Sequence, residues 1–183
     1  MIKGIARFWN LIHYCMYELQ LNFHKVFRFI NPIFYLYRVP AIKKYLGKKY
    51  NTAYPEQYVD DAVFDNPRNG QPIVWAGILM GILLINIQII IFNLFQVFIS
   101  KNLNNYIFDN EKIKFIAIVS LLAIAGLINY ALVFKDKKYL IYFEDFNRIS
   151  RTTITWYCFS CLLVYALLIL VTIYSFSWLK NVN

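Results

Sequence analysis

Read as a pattern of apolar and polar positions, the chain has a mixed first third and an apolar remainder broken by two polar loops. Residues 72–99, PIVWAGILMGILLINIQIIIFNLFQVFI, run for 28 positions without a charged side chain. At about 1.5 Å of rise per helical residue, this stretch exceeds the roughly 30 Å of a hydrocarbon core. Two similar runs follow, at residues 113–134 and 153–178. The pattern predicts three membrane-spanning helices, the first at 73–99.

The part before them has a different period. Between residues 5 and 30, Ile5, Phe8, Ile12, Cys15/Met16, Leu19, Phe23, Val26/Phe27 and Ile30 recur at helical spacing. Lys3, Arg7, Asn10, His13, Tyr14, Tyr17, Glu18, His24, Lys25 and Arg28 occupy the other face. This predicts an amphipathic helix that lies in the membrane interface or on a partner and does not span. Asn31-Pro32 ends it, because a proline cannot continue the hydrogen-bond ladder and restricts the residue before it. A shorter segment, interrupted at Val39-Pro40, ends in Lys43, Lys44, Lys48 and Lys49, interleaved with Tyr45 and Tyr50. These lysines are expected to meet anionic phospholipid headgroups, at about 1 kcal/mol each near a charged surface. An ordinary basic flank of a first span would have the same composition.

Residues 51–72 carry Pro55, Pro67, Pro72 and the turn signal Asn66-Pro67-Arg68-Asn69-Gly70, so an extended polar connector is predicted there. The loop at 100–112 is short and rich in Asn. In the loop at 135–151, Tyr139, Tyr142/Phe143, Phe146 and Ile149 fall at helical spacing, which predicts an extension of the second span folded along the interface. The expected fold is therefore an all-α membrane protein: a basic aromatic arm (1–50), a connector (51–72) and a three-span domain (73–183).

Composition sharpens this picture. Hydrophobic residues make up 60% of the chain and aromatic residues 19%. The apolar excess sits in the three runs, and Tyr and Trp suit the membrane interface. The net charge is +9 and uneven. Residues 1–50 hold nine Lys/Arg and one acid, Glu18, whereas residues 51–72 hold four acids and Arg68. No nucleic-acid motif accompanies the basic arm, so its expected contacts are lipid headgroups and other membrane subunits. Lys/Arg counts favour the side holding the N-terminus and the second loop by 15 to 4. The N-terminus is expected inside an inner membrane, mitochondrial or bacterial, and the C-terminus outside. Glu18, Gln20, Asn22 and Lys25 break the first apolar run and no small-residue cleavage site follows, so a cleavable secretory signal is not expected.

Chemistry is sparse. With Lys114 counted in the first loop, no span carries Asp, Glu, Lys, Arg or His. Proton relays and ion-coupled transport need such groups in the membrane, and a haem held between spans needs an axial ligand. Cys158-Phe-Ser-Cys161 is a C-x-x-C, but Leu162 follows it and it lies in an apolar span, where cysteine behaves as a small hydrophobe. His13 and His24 are about three helical turns apart, too far for one metal ion. No catalytic residue, cofactor or metal is expected, and the chain is not read as an enzyme.

The first span does carry packing signals. Gly77 and Gly81 form a G-x-x-x-G, with Gln88 on nearly the same face, while Asn86 and Asn93 mark roughly the opposite one. Ala125, Gly126 and Asn129 form a smaller face of this kind in the second span. Small residues let helix backbones approach, and amides in lipid want hydrogen-bond partners. Gly77, Gly81, Asn86, Gln88, Asn93, Gly126 and Asn129 are thus the expected helix-packing interface, within the chain or with a partner. A polar pore lining from Asn86, Gln88, Asn93 and Gln96 is the weaker reading, because Asn86 and Gln88 point apart.

In general character the chain, through residues 1–72 and its spans, resembles small accessory subunits of large energy-transducing membrane complexes. That resemblance of type implies a non-catalytic structural subunit, for instance of a respiratory complex. The alternative is a self-oligomerising pore or membrane-disrupting effector using the same glycine face.

Overall fold

The computed structural model describes residues 2–27, 30, 35–36, 39–52, 54, 58, 61, 66, 68 and 70–181. The Asn31-Pro32 stop and most of the predicted connector at 51–72 lie outside these residues. Among the described residues the regular structure is entirely helical.

Helix α1 spans Ile2–Phe27 and α2 spans Pro40–Tyr50. The three long apolar runs form α3 (Gln71–Phe98), α5 (Glu111–Asn129) and α7 (Arg151–Ser175). All three are long and apolar enough to cross a membrane, which marks a membrane protein. The short α4 (Leu103–Asp109) fills the first loop. The asparagines of that loop have a local job: Asn102 caps α4 and Asn110 caps α5 through side-chain oxygens that accept backbone N–H bonds. Ser150 does the same for α7. Pro40 and Pro72 sit in the first turns of their helices, where the missing N–H is not needed.

The three spans form a row. α3 is in the middle, α5 packs on one side and α7 on another, and α5 and α7 scarcely touch each other. Each outer helix attaches by one narrow stripe. In α7 the stripe is Ile154, Cys158, Cys161, Tyr165, Leu168, Thr172 and Ser175, a repeat of three and four residues. Most of the remaining surface of both outer helices is exposed and apolar.

The second span does not end where its apolar run ends. A π-helical turn at Tyr130–Phe134 follows α5, and the backbone then takes left-handed conformations at Asp136 (φ 58°) and Lys137 (φ 53°). Such angles break the right-handed helix and kink the chain. The chain then enters α6 (Lys138–Asn147), which buries Tyr139, Phe143 and Phe146. Tyr142 and Ile149 of the predicted stripe are half-buried.

α6 lies over α1. α1 packs against α3, α6, the π turn and α7, at one end of the row: Ile73–Leu84 of α3, 125–134 of the second span and 154–165 of α7 line that core. Residues 12–18 of α1 are buried all round, whereas Ile5, Phe8, Phe23, Val26 and Phe27 near its ends are exposed. The two faces are therefore not separated as the periodicity predicts. Asn10, His13, Tyr14, Tyr17 and Glu18, all on the expected polar face, point inward. The reason is the surroundings. Next to apolar spans, Asn10, Tyr14 and Glu18 find partners on other helices, and the apolar ends of α1 can face lipid.

Candidate functional site

The densest polar chemistry lies where α1 passes between α6 and the row of spans. A π turn leaves backbone carbonyls without their usual helical donors. Two are taken up here. Asn10 Nδ2 donates to the Leu132 carbonyl at 3.0 Å, and also to its own Ala6 carbonyl at 2.8 Å. Lys138 Nζ lies 3.4 Å from the Ala131 carbonyl. One turn on, His13 is fully buried in an aromatic box. Phe134 and Tyr139 meet it edge-on with ring centroids 5.5 and 5.9 Å away, and Phe143 is tilted at 5.5 Å. Neither His13 nitrogen has a well-formed hydrogen bond, nor do Trp9 Nε1, Asn10 Oδ1 and Asn129 Oδ1, among the described residues. Burial lowers the His13 pKa from 6.5 to about 4, although the Ile73 backbone offsets part of that cost.

Beyond His13 the polar side of α1 is satisfied. Tyr14 Oη donates to Asn147 Oδ1 at 2.6 Å, which ties α1 to the end of α6. Burial, with the Glu18 carboxylate beside it, pushes the Tyr14 hydroxyl up. Glu18 in turn accepts from Arg151 Nη1 at 2.8 Å, joining α1 to the first residue of α7. Glu18 is mostly buried and Arg151 two-thirds exposed, so the pair retains much of its hydration and is a modest attachment.

Three thiols meet on the opposite side of α1. Cys15 is fully buried, and the Cys158 Sγ lies 3.7 Å from the Cys15 carbonyl oxygen. Cys161 packs against the same core. All three are free. No group of His, Cys, Asp and Glu among the described residues is arranged to hold a metal ion.

The expected packing residues divide by geometry. Gly77 sits against the second span: a Cβ there would come 2.9 Å from the Phe134 ring, and the Gly77 carbonyl accepts from Asn129 Nδ2 at 3.0 Å. Gln88 Nε2 reaches the Leu84 carbonyl at 3.3 Å and, more weakly, Leu121 of α5 at 3.4 Å. Asn93 faces α7 and donates to Ser175 Oγ at 2.8 Å. Gln96 continues this network: it donates to Asn93 and Asn104 and accepts from the Leu103 N–H at 2.7 Å. Gly81 and Gly126 have open space around them. Asn86 is half-buried and, among the described residues, bonds only to its own helix, at the Ile82 carbonyl. Lys43, Lys44, Lys48 and Lys49 are all exposed on α2.

The buried network gives a direct prediction. Asn93→Leu removes a donor and an acceptor, leaving Gln96 and Ser175 short of partners. The expected cost is about 1–3 kcal/mol, read as a lower unfolding temperature in detergent. Asn86→Leu should not share that loss.

Sequence reasoning placed His13 and Asn10 on the polar face of an amphipathic helix and gave the cysteines only a packing role. One signal was available: Glu18 is the single acid of the basic arm, and a lone acid in such a segment calls for a cation elsewhere, here Arg151. Comparison of the chain with family models, with curated proteins and with solved structures finds no significant match.

Proposed function

We propose that the protein is a non-catalytic structural subunit of a larger membrane assembly, seated beside its partner along the free face of α3. The observation that carries this reading is Asn86. It lies near the middle of the 28-residue α3, half-open, and its side-chain oxygen accepts no hydrogen bond among the described residues. Trp75, Ile78 and Ile82 flank it toward the N-terminal end and are exposed. An amide at that depth is poorly served by lipid and gains from a donor on a neighbouring helix, by roughly 0.6–2 kcal/mol. The open row supports the same reading, because α5 and α7 leave that side of α3 uncovered.

The inner-membrane setting and the inside position of the N-terminus belong to this proposal and rest on the 15-to-4 Lys/Arg bias. The respiratory setting rests on the resemblance of type alone. The pore reading has less support. Gln88, Asn93 and Gln96, three of the four amides that would line a channel, are engaged with other parts of the chain.

Purification in mild detergent tests the proposal. Other membrane proteins should co-purify in fixed ratio, and Asn86→Leu should lose them while keeping its own unfolding temperature. A stable, solitary monomer in mild detergent, or a homo-oligomer that conducts ions in bilayers, would overturn it.

A further inference from the structure

A cavity of about 310 Å³ lies between α1 and α6. Tyr17 and Phe143, both buried, line it, with ring centroids 5.1 Å apart and planes inclined at 41°. Leu21 and Leu140 add apolar surface. Arg68 and Glu144 line it as well, and both are exposed. Among the described residues neither of them forms an ion pair, with the other or elsewhere. Their backbones are held all the same. The Arg68 carbonyl accepts from Tyr139 Oη of α6 at 3.0 Å, and the Arg68 N–H donates to Asn66 Oδ1 at 2.9 Å. Glu144 is carried by α6, whose end is tied to α1 through Tyr14 and Asn147. Glu18 also borders the cavity, but its charge is already met by Arg151.

One cation and one anion thus border a single cavity without meeting. A simple anion is drawn to Arg68 and repelled by Glu144, and a simple cation meets the reverse. A molecule that carries both charges on a short link satisfies both. Its ammonium gains further from Tyr17 and Phe143, because ring faces attract cations within about 6 Å. Depth in the membrane narrows the choice. Arg68 stands three residues before α3 begins at Gln71, and α6 leads directly into α7. The cavity is therefore level with the ends of two spans, in the headgroup layer of the bilayer. We propose that it binds the headgroup of a zwitterionic phospholipid, with the phosphate on Arg68 and the ammonium between Glu144 and the Tyr17–Phe143 wall. Leu21 and Leu140 border the glycerol end of the lipid. The site differs in kind from the exposed lysines of α2, which carry one sign of charge only.

The test is native mass spectrometry of the full chain in a mild non-ionic detergent, titrated with dioleoyl phosphatidylethanolamine or dioleoyl phosphatidylglycerol. The zwitterionic lipid should bind about tenfold more tightly than the anionic one, the worth of a single charge-assisted hydrogen bond. Arg68→Gln and Glu144→Gln should each weaken phosphatidylethanolamine by about the same factor. Both side chains are exposed, so the unfolding temperature of the lipid-free protein should stay where it is. Glu144→Gln should also erase the discrimination against phosphatidylglycerol, which a merely loosened fold would not do. Equal affinity for the two lipids in the wild type, or undiminished selectivity in Glu144→Gln, would overturn the proposal. So would water-soluble phosphoethanolamine that displaces the lipid at matched concentration, because the cavity would then belong to a free small molecule.

Discussion

Acidification from pH 7 to pH 4 is expected to loosen α1 from the spans, and His13→Phe is expected to abolish most of that response. Docked, His13 is enclosed by Phe134, Tyr139 and Phe143 and holds its neutral form, with a pKa of about 4. Undocked, it titrates near the ordinary 6.5. Its folded pKa is depressed, so the released state binds the proton more readily. Docking is therefore fully stabilised above pH 6.5, weakens as the pH falls, and reaches its floor below pH 4. The difference corresponds to about 3 kcal/mol, or two orders of magnitude in the docking equilibrium. Hydrogen exchange of residues 9–18, corrected for intrinsic pH dependence, reads the effect. Glu18, paired with Arg151, is the carboxylate contact of α1, and Glu18→Gln is the control for it. If Glu18→Gln flattens the profile and His13→Phe leaves it steep, the response belongs to the Arg151 pair and not to the aromatic box.

The second large effect separates the two glycines of the G-x-x-x-G. Gly77→Leu drives a side chain into the Phe134 ring and crowds the Asn129 bond to the Gly77 carbonyl. Overpacking of this kind costs about 1–3 kcal/mol. It also presses on the π turn that contributes Phe134 to the His13 box, so damage should spread from the α3–α5 contact to α1. Gly81→Leu meets open space and should leave the isolated protein unchanged. Thermal unfolding of both variants in the same detergent decides the point. Equal losses would mean that the glycines act as a pair, contrary to the geometry. A stable Gly81→Leu protein that no longer co-purifies with its neighbours would place Gly81 at an external contact.

The spans were legible because their signal is one-dimensional: an uncharged run longer than a bilayer is thick needs no tertiary knowledge. The α6 stripe was legible for a similar reason, since Tyr139, Phe143 and Phe146 keep one period within one short helix. The orientation of α1 was not. Its periodicity shows that two faces exist, but which face turns inward depends on whether the surroundings are water or other helices. The kink between α5 and α6 was equally hidden, because left-handed Asp136 and Lys137 are ordinary residues in unusual conformations. The thiol cluster requires a contact across 143 positions, and no spacing rule within one sequence encodes it.

The clasp over α1 also sets an order of events during synthesis. α1 is made before the spans, yet its seat is built from the start of α3, the π turn, α6 and the start of α7. Roughly 130 residues must follow before that seat exists, which at about 5–20 residues per second is on the order of ten seconds. Throughout that interval Asn10, His13 and Glu18 lack the helices that enclose them in the finished fold, while Ile5, Phe8, Phe23 and Phe27 can rest on the bilayer surface. The helix that precedes all three spans is thus locked in place after them, and its arrival reports that they have been inserted.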